Sequence, residues 1–359
     1  MTPEHRTPTD RNRLTELFGT EIPVVLGPFG GVSSVELTAA VSDGGGLGSY
    51  GLYGYSAGAI GDTAAQLRKA TAKPFALNLW IPTGDETTAV PQEDFDNYLE
   101  TLKPYFEEVG LPIPDMPDHY MPDYDEQVAA TLEARPAVVS FVFGVPAPEL
   151  VEEAHRLGIV LVGTATTVAE AVALEAGGVD AVVASGMESG GHRVSFLKPA
   201  EESLIGTFAL VPQVVDAIRI PVIAAGGIVD RRGYAAARAL GADAVQVGSA
   251  FLATRESAAV PAYRDILHSP AASETVLTRV LSGRLARGIP NRIIGELSKT
   301  TGTAPFPIQN WLTGRFRPQA AAQGNTELMS LWAGQAAPLI RHDSAADVLA
   351  ELLAGSPFV

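Results

Sequence analysis

The 359-residue sequence predicts an α/β fold, a (β/α)8 barrel with a small helical cap domain after strand eight. Three observations point there. Eight short β-branched runs alternate with Ala/Leu/Glu-rich stretches of helical character. The runs are continuously apolar, as parallel strands covered on both faces require. The unit "GGVDAVVASG" (177–186) is weakly repeated as "LGADAVQVGS" (240–249): a Gly-containing helix end, Asp-Ala-Val, then a strand closing on small residues. An open doubly wound sheet is the alternative. It seldom needs eight parallel strands, and no GxGxxG follows the first one.

The strands are expected at "PVVLG" (23–27), "GLGSY" (46–50), "PFALNLW" (74–80), "AVVSFVFG" (137–144), "IVLVGTA" (159–165), "DAVVASG" (180–186), "PVIAAGG" (221–227) and "AVQVGSAF" (244–251). Helical spacing lies between most of them, for example at 168–178 and 233–242. Residues 82–125 are rich in Pro, Asp and aromatics and break the repeat, reading as a loop plus a helix near the barrel mouth. The chain divides on this basis into a barrel (20–254), a helical cap (255–340) and a C-terminal segment (341–359). In that last segment "DSAADVLAELLAG" opens on an Asp/Ser cap and returns to the barrel.

Bulk properties exclude several functions. A net charge of -16 argues against nucleic acid, whose phosphates need clustered Lys and Arg, and against anionic membrane surfaces. The absence of cysteine removes disulfides, thiolate catalysis, Cys-ligated zinc and iron–sulfur clusters. The polar start "MTPEHRTPTDRNR" lacks the apolar core of a signal peptide, and no apolar run approaches ~18 residues, so a cytoplasmic protein is expected. No HExxH, GxSxG or metal-spaced His/Asp cluster is present, so no metal is expected.

Barrel active sites lie at the C-terminal strand ends. Small and polar residues stand there: Asn78, Gly144, Thr164, Ser185, Gly226, Gly227, Gly248 and Ser249. The loops after strands seven and eight commonly hold phosphate in such barrels, and "AAGGI" and "VGSAF" offer unobstructed N–H groups and a hydroxyl. The plain alternative is that strand ends need small residues to turn. Among His5, His119, His155, His192, His268 and His342, only His192 follows a glycine pair just past a strand. Gly190 and Gly191 let the backbone approach a flat ligand, and the imidazole can act as acid or base near neutral pH. The bland reading is a loop-stabilising histidine. Glu188 reads as a carboxylate that bonds loop N–H groups and fixes the turn.

These motifs, "SGMESGGHR", "PVIAAGGIVD" and "AVQVGSAFL", together with "SGRLARGIPN" (282–291), "FPIQNWLT" (306–313) and "LWAGQAAPLI" (331–340), resemble the FMN-dependent nitronate monooxygenase family. The likeness runs from about residue 20 to 340. It implies FMN as cofactor and His192 as the catalytic histidine. It implies Asn78 as a flavin contact, Ser185 at a flavin-facing position, Gly190 beside the isoalloxazine and Gly227 at the phosphate. Gln246, Val247, Gly248 and Ser249 would form the flavin and phosphate segment of strand eight. Ser185 stands where relatives often carry glutamine, Val194 where many have glycine, and Phe29 in a methionine place.

The implied reaction is oxidation of alkyl nitronates by O2 to carbonyl compounds and nitrite, with His192 taking the α-proton of neutral nitroalkanes. Because the family shares its barrel with FMN-dependent enoyl-acyl-carrier-protein reductases, an NAD(P)H-linked enoyl-thioester reductase is the alternative, and a flavin-binding protein without turnover a second one. Arg279, Arg284, Arg287 and Arg292 could line a groove for a nicotinamide nucleotide; pairing with the acidic 82–125 insertion is the competing expectation. Small molecules are the expected partners, with homo-oligomerisation open.

Overall fold

The computed structural model describes residues 12–356. His5 and the segment's polar first eleven residues lie outside that range, as do 357–359. Eleven strands are present among the described residues: β1 (Val24–Leu26), β2 (Gly48–Gly51), β3 (Phe75–Trp80), β4 (Val138–Val142), β5 (Val160–Ala165), β6 (Ala181–Ser185), β7 (Gly191–His192), β8 (Val222–Ala225), β9 (Ala244–Val247), β10 (Val276–Thr278) and β11 (Ala286–Gly288). Eight of them form one parallel sheet in the order β1-β9-β8-β6-β5-β4-β3-β2. A parallel bridge between Val25 and Leu47 joins its two ends, so the sheet closes into the expected (β/α)8 barrel. The seventh and eighth barrel strands are thus β8 and β9.

The pleat decides what faces the barrel axis. Side chains alternate along a strand. Val25, Leu47, Ala76, Val138, Val162, Ala181, Val183, Ile223, Ala225 and Ala244 form one buried cluster drawn from every barrel strand or its leading edge. Leu14 and Phe18, from the helix Arg13–Phe18, join this cluster. The intervening residues, such as Leu26, Leu77, Phe141, Leu161, Val182 and Val245, belong to the larger cluster that includes the helices. Continuing the inward parity toward the C-terminal ends reaches Ser49, Asn78, Ser140, Thr164, Ser185 and Gln246. The barrel interior is therefore apolar below and polar at its mouth.

Two expectations need revision. The eighth barrel strand ends at Val247, not Phe251: Gly248 turns out of the extended conformation (φ −106°, ψ −78°) and Ser249–Leu252 forms a short helix. The region after it contains helices Pro261–Leu267, Arg292–Leu297 and Ile308–Ala322, but also β10 and β11. These pair antiparallel with β7 in a small sheet, order β10-β11-β7. Leu281, Ile289, Phe316 and Leu331 from this region share the large buried cluster with barrel residues.

The insertion carries the helix Gln92–Val109, and a second helix, Tyr124–Glu133, starts where it ends, capped by Asp123. Phe106 meets Phe316 edge-on, centroids 5.2 Å apart, which ties the insertion to the helix Ile308–Ala322. The last helix, Ala345–Leu353, is capped by Ser344 and lies against Val35–Asp43 and Arg231–Ala239.

Candidate active site

Two successive glycines place His192, each for a different reason. A Cβ on Gly190 would lie 2.6 Å from the carbonyl carbon of Ala333 and from the nitrogen of Gly334. Only a glycine lets the "LWAGQ" segment dock there, where Gly334 N–H donates to Ser249 Oγ (2.9 Å) and Gln335 N–H to the Glu188 carbonyl (2.9 Å). Gly191 has φ +78°, the left-handed region, with open space where a side chain would be. The chain then enters β7, and His192 sits opposite Ala286 of β11.

The imidazole lies between two indoles. Trp80, the last residue of β3, meets it edge-on at 5.0 Å between centroids, and Trp332 stands at 5.5 Å. Nε2 is 2.8 Å from the hydroxyl of Ser282. Burial pushes the His192 pKa down to about 3, and the guanidinium charges of Arg284 and Arg317 push the same way, so the ring is neutral at physiological pH. Val194 packs with Val142 and Phe143 in a buried apolar cluster against which Trp80 lies.

The two arginines differ in what compensates them. The Arg284 guanidinium lies over Phe143 (4.4 Å) and Phe306 (4.0 Å) and donates to Thr83, Asp85 (2.8 Å) and Glu86 (2.7 Å). Against the opposing pull of burial, hydrogen bonds from Thr83 and then the Arg284 guanidinium hold both carboxyl groups below their usual range. Arg317 donates to Ser330, Asn310 Oδ1 (2.8 Å) and the Asn310 carbonyl, and makes no ion pair among the described residues. Asn310 in turn donates to the Tyr53 hydroxyl (2.8 Å), whose ring lies 4.3 Å from that of Trp80.

The remaining candidates sit around the barrel mouth. Asn78 is buried and donates to Ser140 Oγ (3.0 Å) and its carbonyl (3.1 Å). Ser185 Oγ is 3.1 Å from Ser189 Oγ. Gln246 is half-buried, with no side-chain hydrogen bond among the described residues. After β8, Gly226 and Gly227 have φ +101° and +73°. After β9, Gly248 and Ser249 open the short helix, whose first N–H groups have no carbonyl one turn back. Glu188 does fix the turn: its carboxylate accepts from Thr207 N–H (2.9 Å) and Thr207 Oγ1 (2.9 Å).

The sequence reading passed over several residues. Arg193 is 1% exposed and donates to the carbonyls of Gly186 (2.7 Å) and Ser185 (3.0 Å), bracing the end of β6. Glu170, fully buried, accepts from Thr166 N–H, Thr166 Oγ1 and Phe196 N–H, tying the loop after β7 to the end of β5. Ser282 stands in "SGRLARGIPN", where no local pattern marks it as a neighbour of His192. The four cap arginines divide. Arg284 and Arg292 do pair with the insertion, the latter with Glu108 (2.6 Å). Arg279 pairs instead with Glu201 (2.8 Å), and Arg287 donates to the Met187 carbonyl and Thr275 Oγ1.

A closed parallel barrel whose mouth collects a neutral histidine, aromatic rings and polar strand-end residues defines a TIM-barrel enzyme. The chain belongs to the nitronate monooxygenase family, whose profile matches residues 11–355. It is 37% identical over 346 residues to a probable nitronate monooxygenase of Staphylococcus aureus (strain Newman), covering 96% of this chain and 97% of that one. Among solved structures it is similar to a nitroalkane oxidase from Streptomyces ansochromogenes (36% identity, TM-score 0.83, 95% and 96% of the two chains). It is also similar to FabK from Thermotoga maritima (29% identity, TM-score 0.75, 96% of each chain). The family is one of flavin-dependent oxidoreductases. Among the described residues no helix is long and apolar enough to cross a membrane.

Proposed function

We propose that the chain oxidises alkyl nitronates with O2 to carbonyl compounds and nitrite, using FMN. The observation that carries this reading is the charge around His192. The imidazole is kept neutral chiefly by burial, and the charges of Arg284 and Arg317, which act in the same direction, also favour a bound anion. A nitronate is a small anion. A pyridine-like nitrogen of such depressed basicity is a poor proton acceptor, so substrate that arrives already deprotonated is handled best.

The residues present fit FMN. The glycine turn at Gly226–Gly227 and the helix start at Gly248–Ser249 give a phosphate backbone N–H groups on two adjacent strands. Asn78, Ser185 and Gln246 lie at the inward rim, where they would face the ring system. Val247 packs outward in the large cluster and would offer only its backbone, and Gly190 with the 333–334 segment would form the neighbouring wall. Bound there, FMN would supply the electron transfer between nitronate and oxygen. The protein's own part is to orient the nitronate in the Trp80–Trp332 slot, exclude water with the Arg284-anchored loop, and receive a proton on His192 when the substrate is a neutral nitroalkane.

Anaerobic mixing with ethyl nitronate, and separately with NADH, tests the reading. Nitronate is expected to bleach the visible flavin band while NADH does not. Rapid bleaching by NADH with no response to nitronate rejects it and favours the enoyl-thioester reductase.

A further inference from the structure

The ring of His192 has two nitrogens, and only one of them can be the base. The hydroxyl of Ser282 bears on which. Ser282 is 1% exposed and stands at the tight turn before β11. Its Oγ lies 2.8 Å from His192 Nε2, 3.0 Å from the Arg284 carbonyl oxygen, and 3.3 Å from the Arg284 nitrogen, whose N–H donates to it. A serine has one proton to give. Among the described residues the Arg284 carbonyl accepts from no other group, and Arg284 is itself buried. A buried carbonyl left without a donor costs about 1–3 kcal/mol. The imidazole can avoid an equivalent loss by carrying its own proton on Nε2.

We propose that Ser282 is the positioning residue of His192: it accepts the Nε2–H and passes its own proton to the Arg284 carbonyl, so that Nδ1 carries the lone pair that acts as base. This rests on the nitroalkane-deprotonating role given to His192 above. In the step it supports, the α-C–H bond of a nitroalkane breaks, its electron pair becomes that of the nitronate, and the proton forms a new bond to Nδ1. Nε2–H keeps its bond to Ser282 throughout, so the imidazolium needs no reorientation. The N–H···O–H···O=C chain also pushes electron density toward Nδ1, since linked hydrogen bonds polarise one another. That opposes the effect of Arg284 and Arg317.

The test uses the FMN-loaded protein with ring-15N histidine. The His192 signals are identified by their loss in His192→Gln. Wild type is expected to show protonated Nε2 and bare Nδ1, with a mixture of both tautomers in Ser282→Ala and recovery of the single tautomer in Ser282→Thr. In Ser282→Ala, kcat/KM for neutral nitroethane is expected to fall about tenfold, with less than about a twofold change for pre-formed ethyl nitronate. A wild-type ring protonated on Nδ1 overturns the proposal, as does a Ser282→Ala protein with unchanged tautomer or unchanged nitroethane kinetics. The tautomer is read without turnover. An enzyme that failed to oxidise nitronates would therefore sink the functional reading and still leave the Ser282 assignment to be decided by the spectrum.

Discussion

A histidine kept neutral by its surroundings makes folding pH-dependent, and the size of the effect follows from the site. The His192 pKa falls from 6.5 to about 3, mainly through burial. The unfolded chain therefore binds a proton that the folded chain refuses. Stability from this group is complete above the unfolded pKa and is lost as pH falls from about 6.5 toward 3. Between pH 7 and pH 5 the linkage relation gives a loss of about 2 kcal/mol from this residue alone. His192→Gln removes the titration and keeps a group able to bond Ser282. The assay is urea unfolding of cofactor-free protein at both pH values, because bound flavin would add its own stabilisation. Wild type is expected to lose about 2 kcal/mol more than the variant on acidification. Equal losses in the two proteins would show that the ring is not held neutral, and would remove the electrostatic basis for anion preference.

Three further outcomes are expected. Glu170→Ala leaves buried donors from Thr166 and Phe196 without an acceptor, which should destabilise the protein by roughly 3–5 kcal/mol, read from urea midpoints. Gly190→Ala sets a methyl group 2.6 Å from the Ala333–Gly334 backbone. A cost of about 1–3 kcal/mol and weaker FMN retention should follow, seen by thermal melting and flavin-release titration, and unchanged retention would separate Gly190 from the cofactor site. Arg284→Met leaves Glu86, whose side chain is 7% exposed, without its cation. Protease cleavage within 82–90 should accelerate and KM for nitronate should rise, and an unchanged digestion pattern would show that the loop is held by other contacts.

What the sequence made legible, and what it hid, has a physical cause in each instance. The barrel was readable because both faces of each parallel strand are covered, leaving uninterrupted apolar runs. The same continuity hid the pleat: nothing in "AVVSFVFG" marks Ser140 as facing the axis, yet it lies beside Asn78 in register. His192 was readable because two glycines and a strand end are local signals. Its environment was not, because Trp80, Ser282, Arg284 and Trp332 arrive from distant parts of the chain. β7, β10 and β11 escaped notice because each is only two or three residues long. The strand running past Val247 was overextended because "GSAF" carries neither Pro nor a charged residue to mark the turn into its helix.

The arrangement around His192 also explains how one site can be both a poor base and a selective one. Arg284 is charged, yet Asp85 and Glu86 offset it at contact distance. Arg317 has only neutral partners, Ser330 and Asn310, so its charge is uncompensated locally and reaches the imidazole and Tyr53. A positive field of this kind raises the free energy of imidazolium and lowers that of a bound anion by the same electrostatics. Strong basicity and strong anion binding are therefore in opposition at this position. The proposed link from Nε2 through Ser282 to a backbone carbonyl would return part of the lost basicity without adding a carboxylate, whose negative charge would repel the substrate. Had an Asp or Glu stood at 282, His192 would be a better base facing a site that a nitronate enters less readily.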